Sequence, residues 1–271
     1  MSKYDFSVAM CVYGGDDARD FSEALESVYE QTLVPNEVVL VVDGPVPNEI
    51  NEVIEKYQAK KNFNVYRLAE NMGHGPARQA SIVNCKNEYI AIADADDINT
   101  KDRFELQIQM FKDNPGLSVI SSNCYHFIDS IDNIISEEIL PTTDDEIKDK
   151  MKTRCPICQA STMMKKSEVE KAGGYLDWFY AEDYYLWIRL MLQGATFANI
   201  PKSLLYVRTS EEQMMRRGGY KYFVSLEKLF RYMWQNNMIN FPTYFYDVSA
   251  RFVLQVLLPA KVRGFIRKKL M

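Results

Sequence analysis

Nowhere in the chain does an apolar run approach the ~18 to 20 residues needed to span a bilayer, so the sequence offers no transmembrane helix. It also lacks an excess of positive charge. The net charge of −5 argues against a general nucleic-acid binder, whose phosphate contacts call for a basic surface. No Gly-x-x-x-x-Gly-Lys-Ser/Thr stretch exists, which rules out a P-loop. Histidine is scarce: His74 and His126 are all there is to complete a zinc site with the five cysteines, Cys11, Cys85, Cys124, Cys155 and Cys158. The pair Cys155-Pro156-Ile157-Cys158 has CxxC spacing but no second CxxC, and reads as two half-buried thiols. An odd number of scattered cysteines, behind a start that carries no signal peptide, suits a reducing cytoplasm. There is no repeat, low-complexity tract or Gly/Ser linker. With 271 residues, 47% of them hydrophobic and 25% charged, the expectation is one globular domain with a C-terminal appendage.

What is present is a regular alternation. Residues 6–12 read as a strand, followed by Phe21, Ala24, Leu25, Val28 and Tyr29 at the spacing of one helical face. Residues 38–42 form a β-branched run suited to a strand covered on both faces. A second helix carries Ile50, Val53, Ile54 and Tyr57 on one stripe. Then come a strand at 65–68, a helix begun near Pro76 and a strand at 89–93. This β-α-β-α-β-α-β order predicts an α/β fold, a mostly parallel sheet with helices on both faces. From about Leu117 the pattern turns mixed, with a strand to Ser122, a hairpin around Asp132-Asn133, a strand near 161–164 and a helix from Ala181 carrying Trp187, Leu190 and Met191.

Ligands of such sheets sit beyond the carboxyl ends of the strands. Tyr13, Asp43, Asp94, Asp96 and Asp97 follow strand ends and are expected to share one crevice. In Asp94-Ala95-Asp96-Asp97 the i and i+2 carboxylates point to one side and could aim at one Mg²⁺ or Mn²⁺. Alone, the cluster reads equally as a loop capping a helix that starts near Lys101. Asp43, before Gly44-Pro45, is either a turn residue or an acceptor for a base or ribose. Asn71-Met72-Gly73-His74-Gly75-Pro76-Ala77-Arg78 combines glycines, a helix start and a cation, a combination suited to an anionic ligand. Glu182-Asp183 opens a helix, where acids favour the dipole or, in a crevice, serve as a general base.

In this order the segments resemble glycosyltransferase family 2 on the GT-A fold, over nearly the whole chain. The resemblance rests on residues 7–13, Val41-Val42-Asp43-Gly44-Pro45, residues 71–78, the DxD-type Asp94-Ala95-Asp96-Asp97 and Ala181-Glu182-Asp183. Leu205-Tyr206-Val207-Arg208 and Arg216-Arg217-Gly218-Gly219 are similar to bacterial enzymes that build O-antigen, capsule or exopolysaccharide, the amylovoran-type transferases among them. The resemblance implies a nucleotide-sugar site of Val12, Tyr13, Asp43, Arg78, Asp94, Ala95, Asp96, Arg216 and Arg217. Asp96 would hold the metal, Asp183 would be the catalytic base, and Glu182, Asp97 and Trp178 would lie near donor or acceptor sugar. Family members often read Ala-Arg-Asn where this chain has Ala77-Arg78-Gln79.

The implied reaction is an inverting transfer from a UDP-sugar to a lipid-linked glycan, with Arg216 and Arg217 closing over the diphosphate. The implied layout is a GT-A domain over 1–220, its nucleotide half about 1–100 and its acceptor half about 101–220, then a helical segment over 221–271. No acidic residue follows Asp247, while Arg251, Lys261, Arg263 and Arg267-Lys268-Lys269 alternate with apolar residues. Such a tail suits the anionic inner face of a cell membrane, or else a helix packed on the core with a solvated basic face. Two other functions compete. A sugar-phosphate nucleotidyltransferase would need a basic Gly-rich loop after the first strand, where Gly14-Gly15-Asp16-Asp17 is acidic. A non-catalytic nucleotide-sugar or membrane-binding module would have no need of Asp183.

Overall fold

Burial on both faces is what the run 38–42 demands, and every residue of strand β2 (Glu37–Asp43) is buried. It lies between β1 (Phe6–Tyr13) and β3 (Phe63–Arg67), and β1 pairs on its other side with β4 (Tyr89–Ala93), all parallel. The computed structural model describes residues 3–210 and 218–258. Arg216, Arg217 and the tail from Pro259 onward lie outside the described residues.

The crossovers are the expected helices: α1 (Ala18–Tyr29), α2 (Asn48–Gln58) and α3 (His74–Asn84). Asp17 caps α1, its carboxylate accepting from the Arg19 and Asp20 amides. Phe21, Ala24, Leu25 and Val28 of α1 are fully buried beside Phe104, Ile108 and Phe111 of α4 (Arg103–Asp113) on one sheet face. Each large side chain sealed there is worth about 1.5–3 kcal/mol, so Leu25→Ala is a fold-breaking substitution rather than a site one.

The second half is mixed, as the loss of periodicity after Leu117 suggested. The strand order is β3-β2-β1-β4-β8-β6-β9-β5, with β7 paired to β6. Here β5 is Ile98–Asn99, β6 Val119–Ile128, β7 Ser130–Glu138, β8 Met163–Lys165 and β9 Phe197–Arg208. β8 runs antiparallel to both β4 and β6, whereas β6 and β9 are parallel. The hairpin is real but its turn falls at Asp129, which has φ 61°, while Asp132 and Asn133 lie inside β7. Short-range turn propensity placed the bend three residues late because Asp-Asn is as acceptable on an exposed edge strand as in a turn.

The other face is covered by α5 (Asp144–Met151), α6 (Lys166–Lys171), α7 (Glu182–Leu192) and α8 (Tyr220–Gln235). Trp187 and Leu190 of α7 and Leu226, Leu229, Phe230 and Met233 of α8 join one core with Ile82, Ile90 and Ile92. Helix α9 (Phe241–Phe252) follows and has no buried residue. The fold is thus α/β with helices on both faces and C-terminal helices, the class expected from the sequence. Among the described residues, no helix is long and apolar enough to cross a membrane.

Candidate active site

The carboxyl ends of β1, β2 and β4 converge as the parallel order requires, since Tyr13 is in register with Asp43 and β1 also pairs with β4. Asp43 is buried, and its carboxylate accepts from the amides of Met72 (2.7 Å) and Gly73 (3.1 Å). Gly44 (φ 80°) must lack a side chain, because a Cβ there would lie 2.6 Å from the Asn71 nitrogen. Together they press the 71–74 loop onto the end of β2. Val12 and Ala95 are buried, so their side chains belong to the core, while Tyr13 is exposed at the mouth.

Arg78 lies in the interior, only 1% exposed. Its guanidinium donates to the carbonyls of Ala9 (3.2 Å) and Ala93 (3.3 Å) and pairs with Asp94. It is held fully charged: burial is the largest single influence and opposes the charge, but Asp94 together with Cys11 and Tyr175 outweighs it and pushes the pKa up. The cation thus ties β1 to β4 and aims Asp94 from beneath, rather than standing open at the surface.

The capping alternative for Asp94-Ala95-Asp96-Asp97 is disposed of by where the carboxylates go. Helix α4 starts at Arg103 behind Asp102, which makes no side-chain cap. Asp94 meets Arg78, and the buried Asp97 accepts from the Arg208 amide at 2.9 Å. Asp97 is thereby turned into β9. Asp96 is half-buried, and its carboxyl is pushed up to about 6 by burial and by Asp94. Asp97 is raised well above the carboxylate range by burial, Asp96 and Asp94.

A fourth carboxylate joins them that the sequence reading passed over. Asp16 accepts from the Tyr13 amide at 2.9 Å, and burial, with Asp96 and Asp94 adding to it, pushes its pKa to about 7. Its signal was faint: an Asp three residues past a strand end can bond back to the strand, as Asp16 does to the Tyr13 amide.

Glu182 reaches the same crevice from the first turn of α7, of which Ala181 is the N-cap and Asp183 the next residue. His74, at the start of α3, meets Glu182 with Nδ1 and Oε1 2.5 Å apart. Its pKa is raised because the Glu182 hydrogen bond and the charges of Asp94 and Glu182 overcome burial. Asp183 accepts from the Tyr184 amide through Oδ1 at 2.6 Å. Gln79, the departure from the Ala-Arg-Asn pattern, accepts from the Tyr175 amide at 2.6 Å and so fixes the loop leading to α7. Gly75 lets that loop approach closely, since a Cβ there would lie 3.0 Å from the Leu176 carbonyl oxygen. Trp178 packs on Tyr185, its ring nitrogen donating to the Ser225 carbonyl at 3.2 Å, which joins the loop to α8.

Arg208 closes the site from β9. Its side chain pairs with Asp20 (3.3 Å) and Glu23 (2.8 Å) of α1 and donates to the Asp96 carbonyl at 3.0 Å. No local pattern signals this clasp, because its partner Glu23 lies 185 residues away and Asp20 further still. The CxxC cysteines do not face one another: Cys155 donates to the Ile157 carbonyl, and Cys158 shares a hydrogen bond with Cys124.

The chain has relatives among known proteins. A sequence profile described as "Glycosyl transferase family 2" matches residues 7–171. The chain is 33% identical over 266 residues to an Escherichia coli protein named UDP-Gal:alpha-D-GlcNAc-diphosphoundecaprenol beta-1,3-galactosyltransferase, covering 97% of this chain and 95% of that one. It is 29% identical over 267 residues to the amylovoran biosynthesis glycosyltransferase AmsE of Erwinia amylovora, covering 97% and 98%. The crystal structure of S. aureus TarS 1-349 in complex with UDP-GlcNAc superimposes with a TM-score of 0.69 at 17% identity, over 92% of this chain and 72% of that one. With Asp43, Asp94, Asp96 and Asp183 at the strand and helix ends where the motif order put them, the chain belongs to glycosyl transferase family 2 and is a glycosyltransferase.

Proposed function

We propose that the protein moves a hexose or N-acetylhexosamine from a UDP-sugar to a hydroxyl of a lipid-linked glycan, with inversion to a β-linkage, in the assembly of a bacterial surface polysaccharide. The observation that carries this reading is the His74–Glu182 contact at 2.5 Å, which brings the start of α7 against the crevice of Asp16, Asp94 and Asp96. A donor bound beyond β1, β2 and β4 would then have Asp183 beside its reacting carbon. The undecaprenol-linked substrate in the E. coli relative's name and the UDP-GlcNAc in the TarS complex support the acceptor and donor classes.

Mg²⁺ or Mn²⁺ suits these carboxylates, because burial, with the neighbouring Asp94 charge adding to it, raises Asp96 to about 6 and Asp16 to about 7, and a cation would offset both. Asp96 would hold the ion, with Asp94 and Asp16 alongside and phosphate oxygens completing the shell. Such an ion supplies Lewis-acid stabilisation of the departing diphosphate. Asp94 is kept in place by Arg78, and Asp43 holds the 71–74 loop that would flank the base and ribose. Asp183 takes the acceptor proton as the hydroxyl oxygen forms the bond to the anomeric carbon and the bond to UDP breaks from the opposite face. Arg216 and Arg217 would cover the diphosphate.

We also propose that the protein works in the cytoplasm, on the inner face of the membrane. Phe241, Phe245, Tyr246, Val253, Leu254 and Leu257 are all exposed on α9 and the π-helical turn after it, ahead of the basic tail. Replacing Phe245, Tyr246 and Leu257 by Ser should release the full chain from anionic vesicles; undiminished pelleting overturns the membrane reading.

The transfer is tested by incubating the protein with Mn²⁺, a panel of UDP-, GDP- and TDP-sugars and lipid-diphosphate-sugar acceptors, and weighing the products. Product from UDP-sugars is expected, and product only from GDP- or TDP-sugars overturns the nucleotide assignment. Asp183→Asn should lose about 10³-fold in turnover with UDP affinity retained. A non-catalytic module would lose nothing.

A further inference from the structure

On strand β6, Cys124 and His126 are two residues apart and therefore on one face, and Cys124 is directly opposite Glu138 of β7. Their ligand atoms converge on one point. Cys124 Sγ lies 3.9 Å from His126 Nε2 and 3.6 Å from Glu138 Oε2, and the last two are 3.6 Å apart. A tetrahedral zinc ion, with about 2.3 Å to sulfur and 2.0–2.2 Å to nitrogen and oxygen, separates its ligand atoms by roughly 3.3–3.6 Å. The triangle therefore needs to shrink by no more than a few tenths of an ångström on its longest edge. Among the described residues, no other three His, Cys, Asp or Glu side chains bring their ligand atoms within 4.8 Å of one another.

The surroundings match those of a ligand set. His126 Nδ1 is 3.2 Å from the Thr209 hydroxyl, which fixes the ring so that Nε2 faces the triangle. Cys124 is fully buried, so the soft ligand is shielded, while Glu138 is about half exposed and leaves a path for an ion. Cys158 is hydrogen-bonded to Cys124 and lies outside the triangle itself. Reading along the chain could not reveal this set, because it counted only the CxxC pair and the fold separates that pair.

We propose that Cys124, His126 and Glu138 form a zinc site, with Cys158 or water as fourth ligand. Thiolate, imidazole and carboxylate together favour Zn²⁺ over Mg²⁺ or Mn²⁺, so this ion is distinct from the one proposed at Asp96. Zinc here would pin β6 to β7 one residue from Arg208, the clasp on the acidic loop.

The test is to titrate the reduced, chelator-stripped full chain with Co²⁺ and then Zn²⁺, and to read absorption, stoichiometry and melting temperature. One Co²⁺ per chain is expected, with thiolate-to-cobalt charge-transfer absorption and intense tetrahedral d–d bands that Zn²⁺ abolishes, and with a higher Tm. Cys124→Ser should lose the charge-transfer band unless Cys158 supplies it alone, so the Cys124→Ser/Cys158→Ser double variant must lose it altogether. Glu138→Gln, at a half-exposed position that does not threaten folding, should weaken Co²⁺ at least about 10-fold, and Thr209→Val by a similar factor. Asp96→Asn should leave the bands unchanged, which keeps this result separate from the fate of the transferase reading. The proposal is overturned if no charge-transfer band forms, if Glu138→Gln and His126→Gln bind Co²⁺ as the parent does, or if Cys124 and Cys158 are joined as a disulfide in the protein purified under reducing conditions.

Discussion

At the ends of β1 and β2, each carboxylate is held by main-chain amides: Asp16 by Tyr13 three residues away, Asp43 by Met72 and Gly73. Across the crevice the holding groups are side chains from remote segments, Arg208 of β9 gripping Asp20 and Glu23 of α1, and His74 meeting Glu182 across 108 residues of sequence. Main-chain amides fixed in a parallel sheet cannot be removed by substitution, whereas each remote side chain can. The side held by main-chain amides is therefore expected to be rigid and tolerant, except where one buried charge serves several strands, and the side held by remote side chains to be adjustable link by link.

The sharpest test of that contrast is the exception. Arg78→Met leaves Asp94 partly buried without its cation and two strand carbonyls without donors, and should cost about 3–5 kcal/mol in urea unfolding. A loss near zero would show that β1 and β4 do not depend on it. On the opposite side Arg208→Gln, which removes two half-buried pairs, should cost about 2 kcal/mol. It should also raise KM for the nucleotide-sugar more than it lowers kcat, because it loosens the loop at Asp96 rather than the group on α7.

Asp16→Asn works in the opposite direction. The folded protein holds this carboxyl at about 7 against an ordinary 3.8, so its charged form is disfavoured in the fold. That penalty is absent below about pH 4 and grows to full size as pH rises past 7. In chelator-containing buffer the variant should therefore be more stable than the parent at pH 8, by about 1–2 kcal/mol after allowing for solvent screening, and equal to it at pH 4. The smallest effect belongs to the exposed link. His74 has a raised pKa, so its pairing with Glu182 stabilises the fold below about pH 6.5 and is lost as pH rises through the raised value. His74→Gln should cost a few tenths of a kcal/mol at pH 6, since the ring is half exposed, and nothing at pH 9.

Much of the first half was legible in the sequence. The strand at 89–93 is found with those bounds, and helix α1 follows the spacing of Phe21, Ala24, Leu25 and Val28, because a face buried against a sheet imposes its period on the residues that cover it. The second half was harder to read. The twelve-residue β9 went unnoticed, since residues 197–208 mix buried and exposed positions around a register shift against β6 and have no single period. The role of Arg78 was only half legible. An arginine one turn into a helix beside two glycines reads as an anion ligand, and nothing local reveals that its guanidinium passes under Asp94 to reach Ala9 and Ala93.

By itself, then, the sequence determined the α/β class, the parallel order of the first four strands and the acidic residues at their ends, because these follow from local periodicity and from the rule that loops after parallel strands converge. Only the tertiary structure decided how the acids are divided: Asp94 toward Arg78, Asp97 toward Arg208, Glu182 toward His74. It alone brought Asp16 into the cluster and set Cys124, His126 and Glu138 on one face. A carboxylate's partner is fixed by which charges and amides lie within a few ångströms, and in this chain those can lie far away in sequence, as Glu23 and Arg208 do at 185 residues apart.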